Sequence, residues 1–494
     1  MARVTGGARE RAARSLFWTA LESGAISGLA FAALVVFGWT LTPAELGIGA
    51  LAFSVVQLLN LPVELLFHDA LIQRREATPR HFNTALTVSL GLGASLSALC
   101  WLAGDALAAA VGDPRAAPVL GWMSLSLPAA GAAGALVAWH QREFRFRILA
   151  LRSLVGRVGA FAAAVSLALL GAGVWAFVAY QVLVVALGGA VLWMASARRP
   201  RLGFAWAEFK ELFGFGARVV GARGVEFAAL PFFMLYLGAA LGAEAAGYFS
   251  LAQRTVETLR AVISDAFARL TSPLFARLQD SPRLLRRAFQ SSTELICAAT
   301  FPVFAGLAAV APHAVVVLFG VRWQPAAPAV AGLCLLGILI QARLYSLQVM
   351  VAVARPQHAM LVRIAELLVL AAAFVLGPSS LALAVGVWVG RVLLAAPLDV
   401  WLLRRAIGIP AGAQFRPLLV PLLLSAAMAA GVVVLDALLP AAAPAAARLL
   451  VEAAFGAAFY AAGLVLFRHP LLRHVRAALD AAATMRRDRA VAAG

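Results

Sequence analysis

The chain has 494 residues, 63% of them hydrophobic and only 13% charged, with a formal net charge of +18. A soluble domain carries charge on about a quarter of its residues, so this balance excludes an ordinary soluble globular protein and specifies one that lives in a membrane. The basic residues fall in short clusters between long apolar runs and not along one face of a soluble module, which excludes nucleic acid as a partner.

A spanning helix needs about 20 mostly apolar residues, and the chain offers fourteen such segments: 15–38, 48–70, 83–110, 117–140, 150–171, 173–196, 211–238, 245–270, 287–310, 326–353, 357–377, 379–402, 416–436 and 449–467. The first follows a basic start, is longer than a signal-peptide core and contains Glu22. It is therefore expected to be retained as helix one.

The connections alternate in charge. Arg74, Arg75 and Arg80 follow helix two, Arg142, Arg145 and Arg147 follow helix four, Arg199 and Arg201 follow helix six, and Arg283, Arg286 and Arg287 follow helix eight, whereas the intervening loops carry only Arg115, Arg322 and Arg448. A missed or invented helix would invert this alternation, and no inversion occurs. Basic loops face the cytoplasm, so both termini are expected there. Cys100, Cys297 and Cys334 lie within apolar runs, with neither disulfide nor metal-ligand spacing, and read as packed core residues.

A repeat is visible at an offset of 200. LTPAELGIGALAFSVVQLL from Leu41 and LGAEAAGYFSLAQRTVETL from Leu241 share Leu41/Leu241, Gly47/Gly247, Leu51/Leu251, Ala52/Ala252, Val56/Val256 and Leu59/Leu259. Both occupy the outer turn and second helix of a six-helix unit. An even number of helices per unit makes the repeats parallel, about an axis along the membrane normal. The expected fold is thus all-α and polytopic: a basic cytoplasmic N-terminus (1–14), two pseudo-symmetric six-helix bundles (15–200 and 211–402), an additional pair (416–467) and a basic amphipathic tail (468–494) on the inner leaflet.

Several charges fall inside these spans, where they are costly and usually face a bundle interior or a water-filled cavity. At 1.5 Å per residue, Arg223 in helix seven and Arg254 in helix eight lie roughly 15–18 Å deep. Glu226 and Glu257 follow them by three residues, on the same helical faces, and are expected to neutralise them in part. Arg218, Glu22, Arg157 and Arg391 are further candidates, with Glu64, His68, Asp69 and Glu366. Arg152, Arg269 and Arg363 lie close enough to the surface to snorkel. Pro231, eight residues beyond Arg223, is the in-span proline expected to make a functional bend.

The segments ARSLFWTALES, LTPAELGIGAL, DALIQRRE, FGFGARVV and AEAAGYFSLAQR resemble the polysaccharide-transport branch of the multidrug/oligosaccharidyl-lipid/polysaccharide exporter superfamily, which includes the Wzx-type flippases. The resemblance runs from about residue 12 to about residue 467. It implies two bundles in a V shape, alternating access in the bacterial cytoplasmic membrane, and a polyprenyl-diphosphate-linked oligosaccharide as substrate, with Arg223, Arg254, Arg218, Glu226, Glu257, Glu22, Arg157 and Arg391 as the residues to receive it. Surrounding lipids and the polymerase and glycosyltransferases of the same pathway are the implied partners. No cofactor is expected, and sodium or proton coupling stays open.

Two rivals share the architecture: a flippase for a peptidoglycan lipid precursor, and a multidrug exporter, which would want carboxylates where this chain has arginines. An integral-membrane glycosyltransferase or polymerase would need a sizeable polar loop with metal-binding or base-forming residues, and the chain has no Asp-x-Asp pair.

Overall fold

The computed structural model describes residues 27–196, 199–278, 281–353, 356–377, 379–440 and 443–467. Glu22 and the basic tail lie outside them, as do the side chains of Glu226 and Arg269. The described residues are helical, in the order α1 Ser27–Thr40, α2 Pro43–Gln73, α3 Pro79–Leu102, α4 Gly104–Val111, α5 Ala116–Ser124, α6 Ser126–Arg142, α7 Phe146–Leu169, α8 Val174–Ala195, α9 Trp206–Phe227, α10 Ala229–Leu278, α11 Pro282–Phe319, α12 Ala327–Ala352, α13 Pro356–Leu376, α14 Leu381–Ile407, α15 Ala411–Leu438 and α16 Ala445–Leu466.

Eleven of the described helical segments are long and apolar enough to cross a membrane. Expected spans one, seven and eleven are those outside that group: the first is described only from Ser27, and the seventh begins in α9, which carries Glu208, Lys210, Glu211, Arg218, Arg223 and Glu226. In lipid every backbone polar group needs an internal partner, which is why the chain is helix throughout these stretches.

Local chemistry sets the breaks. Thr42 caps α2 through the Glu45 amide, Glu45 reaches back to the Thr42 amide, and Pro43 occupies the first turn, where no donor is needed. The counterpart of Thr42 in the repeat is Gly242, whose φ of 83° interrupts α10, a conformation that glycine adopts without a side-chain clash. Pro128 and Pro231 each stand at the third residue of a resumed helix, after breaks at Leu125 and Ala228. Neither proline can donate to the last carbonyl of the preceding helix, Ser124 or Phe227.

Two compact units result. One holds the described parts of Met1–Val262 with Leu318–Ala329 and Leu370–Val385; the other holds Ile263–Val317, Val330–Val369 and the described residues from Gly386 onward. In the first unit the C-terminal end of α1 is closed by the 3-10 turn Val321–Ala326: the Trp323 indole donates to the Gly38 carbonyl at 2.7 Å, and Arg322 to that of Trp39 at 3.0 Å. Cys100 is buried there, and Cys297 and Cys334 in the second unit, as packed, unbonded thiols.

Candidate functional site

Within the first unit, α1, α2, α8 and both segments of α10 enclose a pocket of about 280 Å³. From α1 come Ala30, Ala33, Leu34 and Phe37, and from the first segment of α10 come Leu230 and Met234. The polar wall is Ser54 and Gln57 on α2 facing Ser250, Gln253, Arg254, Glu257 and Thr258 on α10, with Phe53, Phe177 and Tyr180 supplying rings. Phe37 packs edge-on against Phe177 and Tyr180, with ring centres 5.7 and 6.0 Å apart, which fixes the aromatic side.

Arg254 is the centre of the pocket. Its guanidinium lies over the rings of Phe177, 4.9 Å from the centroid, and Phe53, at 5.5 Å, and its Nε donates to Ser250 Oγ at 3.3 Å. Contacts of this kind are each worth about 0.5–2 kcal/mol, which holds the cation without neutralising it. Among the described residues no carboxylate lies within ion-pair distance of it, and Glu257 is committed elsewhere. The expectation that Glu257 neutralises Arg254 is corrected: it pairs with Arg260, three residues further along the same helix. A half-buried guanidinium with donors to spare, walled by rings and neutral polar groups, can accept an oxyanion.

Arg223 does not join it. It pairs with Asp69 of α2 at 3.1 Å, its side chain 47% exposed, and Asp69 also holds His68 at 2.8 Å. Nearby, Glu211 of α9 receives Arg74, and His81 at 3.1 Å, binding the ends of α2 and α3 to α9. Arg218 is exposed on α9 and Arg157 is half-buried on α7.

The second unit holds a different kind of charge cluster. Glu366 of α13 accepts from Arg343 of α12 at 3.2 Å, from Arg363 at 3.0 Å and from Arg391 of α14 at 3.0 Å, while Arg343 Nε also donates to Asp399 at 2.9 Å. Arg391 stacks on Trp388, 3.7 Å from the ring centre, and is itself buried. Its assignment as a substrate-binding residue is therefore corrected: its charge is spent on Glu366 inside a packed core. Arg363, expected to snorkel, gives one donor to the same carboxylate.

His313, Asp436 and Glu452 bring potential metal-ligand atoms within 4.8 Å of one another. Arg448 already supplies the positive charge there, 3.1 Å from the Asp436 carboxylate and donating to its backbone carbonyl at 2.8 Å. His313 reaches Glu452 at 3.1 Å, so the group ties α15 and α16 to α11.

Residues 40–328 match the family described as polysaccharide biosynthesis protein. The chain belongs to that family. The matched stretch contains every polar residue of the Arg254 pocket and stops before the Glu366 cluster. The chain is 27% identical over 324 residues to the succinoglycan biosynthesis transport protein ExoT of Rhizobium meliloti, a match covering 65% of each chain. It is 24% identical over 415 residues to the teichuronic acid biosynthesis protein TuaB of Bacillus subtilis, covering 83% of this chain and 86% of that one. The lipopolysaccharide biosynthesis protein WzxC of Escherichia coli is 23% identical over 67% of this chain and 68% of its own.

The fold is shared with the lipid II flippase MurJ in an inward closed conformation, at a TM-score of 0.73, 10% identity, 92% of this chain and 99% of that one. An inward-facing multidrug resistance transporter of the MATE family aligns at a TM-score of 0.60, with 15% identity over 79% of this chain and 98% of that one. These likenesses establish the all-α, polytopic fold expected of a family member.

The sequence reading missed Phe53, Phe177, Tyr180, Gln57 and Gln253. Rings and neutral amides carry no signal inside an apolar helix, but the 200-residue register projects Gln57 and Ser54 onto the face of Glu257 and Arg254 and would have found them. Arg343 and Asp399 were visible as charges in apolar runs.

Proposed function

We propose that this chain is a flippase that carries a polyprenyl-diphosphate-linked oligosaccharide, a repeat unit of an exopolysaccharide, capsule or O-antigen, from the inner to the outer leaflet by alternating access. It is a transporter and not an enzyme of the pathway. The observation that carries the reading is Arg254, a guanidinium with no carboxylate partner among the described residues, in a pocket lined by aromatic and neutral polar groups.

A diphosphate with its sugars cannot enter hydrocarbon unaided, because its charges and hydroxyls would lose hydration with nothing in return. Arg254 offers planar, multiple donation to phosphate oxygens while the polyprenyl tail stays in lipid. Family membership and three relatives whose names place them in polysaccharide biosynthesis support this reading. The fold of MurJ keeps a peptidoglycan precursor as the second reading. A cationic drug is disfavoured by the charge of the pocket.

On this reading the protein sits in the cytoplasmic membrane with both termini inside, beside the polymerase and glycosyltransferases that consume and make the substrate. Negative charge moving outward gains about 2.3 kcal/mol per charge per 100 mV, so membrane potential alone drives the step in the right direction. Liposomes holding undecaprenyl-diphosphate N-acetylglucosamine, scored by lectin access to the outer leaflet, test the proposal. Arg254→Ala is expected to slow the appearance of sugar at least about tenfold, the worth of a charge-assisted hydrogen bond. An unchanged rate with an unchanged melting temperature removes Arg254 from the mechanism.

A further inference from the structure

The two walls of the pocket are copies of one another in position but not in chemistry. Ala50 and Ser250, Phe53 and Gln253, Ser54 and Arg254, and Gln57 and Glu257 are each separated by 200 residues, and all of them line the cavity. Leu34 and Met234 repeat the relation on the flanking helical segments. One turn away, Gly47 and Gly247 bring the two backbones together, so position 54 is the geometric counterpart of position 254.

Among the described lining residues, charge available to a ligand sits on the α10 side. The α10 wall carries Arg254, since Glu257 is occupied by Arg260. The α2 wall offers a ring, a hydroxyl and an amide, and α8 adds Phe177 and Tyr180. Gln57 both donates and accepts, and Ser54, whose own proton goes to the Ala50 carbonyl, accepts, which suits the hydroxyls of a sugar. Phe53 and Phe177 carry Arg254 on their faces, so Tyr180 is the α8 ring that can meet the sugar's C–H groups.

We infer that the pocket holds a two-ended ligand in one orientation, its anionic group against Arg254 on α10 and its uncharged sugar against the α2 and α8 side. The identity of the ligand rests on the flippase reading; the pairing of the walls does not. Ser54 is then a specificity-determining position: it keeps charge off the sugar side.

The test moves the charge across the axis. Full-length protein in nanodiscs is titrated with two probes, undecaprenyl diphosphate and undecaprenyl diphosphate bearing N-acetylglucosamine. The wild type is expected to bind the sugar-bearing probe at least about threefold more tightly, and Arg254→Ser to weaken both by about tenfold or more. The double variant Ser54→Arg/Arg254→Ser is expected to bind bare diphosphate within about threefold of wild type and to show no preference for the sugar. A double variant as weak as Arg254→Ser at an unchanged melting temperature, or one that keeps the sugar preference, overturns the inference while leaving the flippase reading intact. If Arg254→Ser alters neither affinity, Arg254 does not hold the anionic group and the inference falls; the flippase reading falls only if the wild type moves no lipid-linked sugar in the liposome assay. Should the double variant not fold, Ser54→Arg alone decides: it is expected to tighten bare diphosphate and erase the sugar preference, and retention of that preference overturns the assignment.

Discussion

Gly47 of α2 and Gly247 of α10 lie against each other's helix: a Cβ on Gly47 would strike the Ala243 carbonyl, and one on Gly247 would strike the Pro43 carbonyl. Positions 43 and 243, and 47 and 247, are repeat equivalents, so the contact is reciprocal. The two helices cross at their equivalent points, and only a residue without a side chain permits that approach.

Gly47→Ala and Gly247→Ala are each expected to destabilise the protein by about 2–3 kcal/mol or more, because the obstacle is backbone on both sides and no rotamer change relieves it. The double variant should cost less than the sum, since both methyl groups force apart the same crossing. Gly91→Ala, with nothing within 4 Å of the new methyl, is the control and should be neutral or stabilising. Thermal unfolding in detergent reads all four.

Asp69 and Arg223 form a pair whose side chains are 21% and 47% exposed. A double-mutant cycle should give a coupling of about 1 kcal/mol or less, as for other solvated pairs. Arg223→Ala should then leave liposome flipping near the wild-type rate while Arg254→Ala does not. A coupling well above that, or a transport loss equal to that of Arg254→Ala, would restore Arg223 to the site.

Composition, loop charge and the repeat were enough to read an all-α membrane fold, because hydrocarbon leaves so few ways to satisfy a backbone. The repeat located the Gly47/Gly247 crossing without saying that the two glycines touch. Arg254 was legible as a deep charge, but its surroundings were not: helical spacing alone allows Glu257 to face either Arg254 or Arg260, and packing of Arg254 onto Phe53 and Phe177 decides between them. Arg391 was legible in sequence only as a further charge inside a span. Its partner Glu366 stands 25 residues away, on another helix, where no local period reaches.

Pro231 follows the break at Ala228 and denies the Phe227 carbonyl its donor. Pro231→Ala restores the amide and should let α9 run on into α10, with a gain in stability of about 1 kcal/mol or more, part of the usual cost of an interior proline. If the bend serves transport, the straightened protein should flip lipid at no more than about half the wild-type rate. A higher melting temperature with an unchanged rate would make the bend a tolerated kink.

Glu366 is the carboxylate that three arginines share, and only 4% of its side chain is exposed. Glu366→Gln keeps the shape but leaves Arg343, Arg363 and Arg391 facing Asp399 alone. Leaving a buried charge uncompensated costs about 3–5 kcal/mol, so a loss of that size is expected in chemical or thermal unfolding. The remaining strain is repulsion among cations, and removing one should relieve it. Arg391→Met on the Glu366→Gln background is therefore expected to recover part of the stability, despite losing the stack on Trp388, worth about 1 kcal/mol. A double variant less stable than Glu366→Gln would mean that Arg391 contributes mainly by packing, and that its ion pair is incidental.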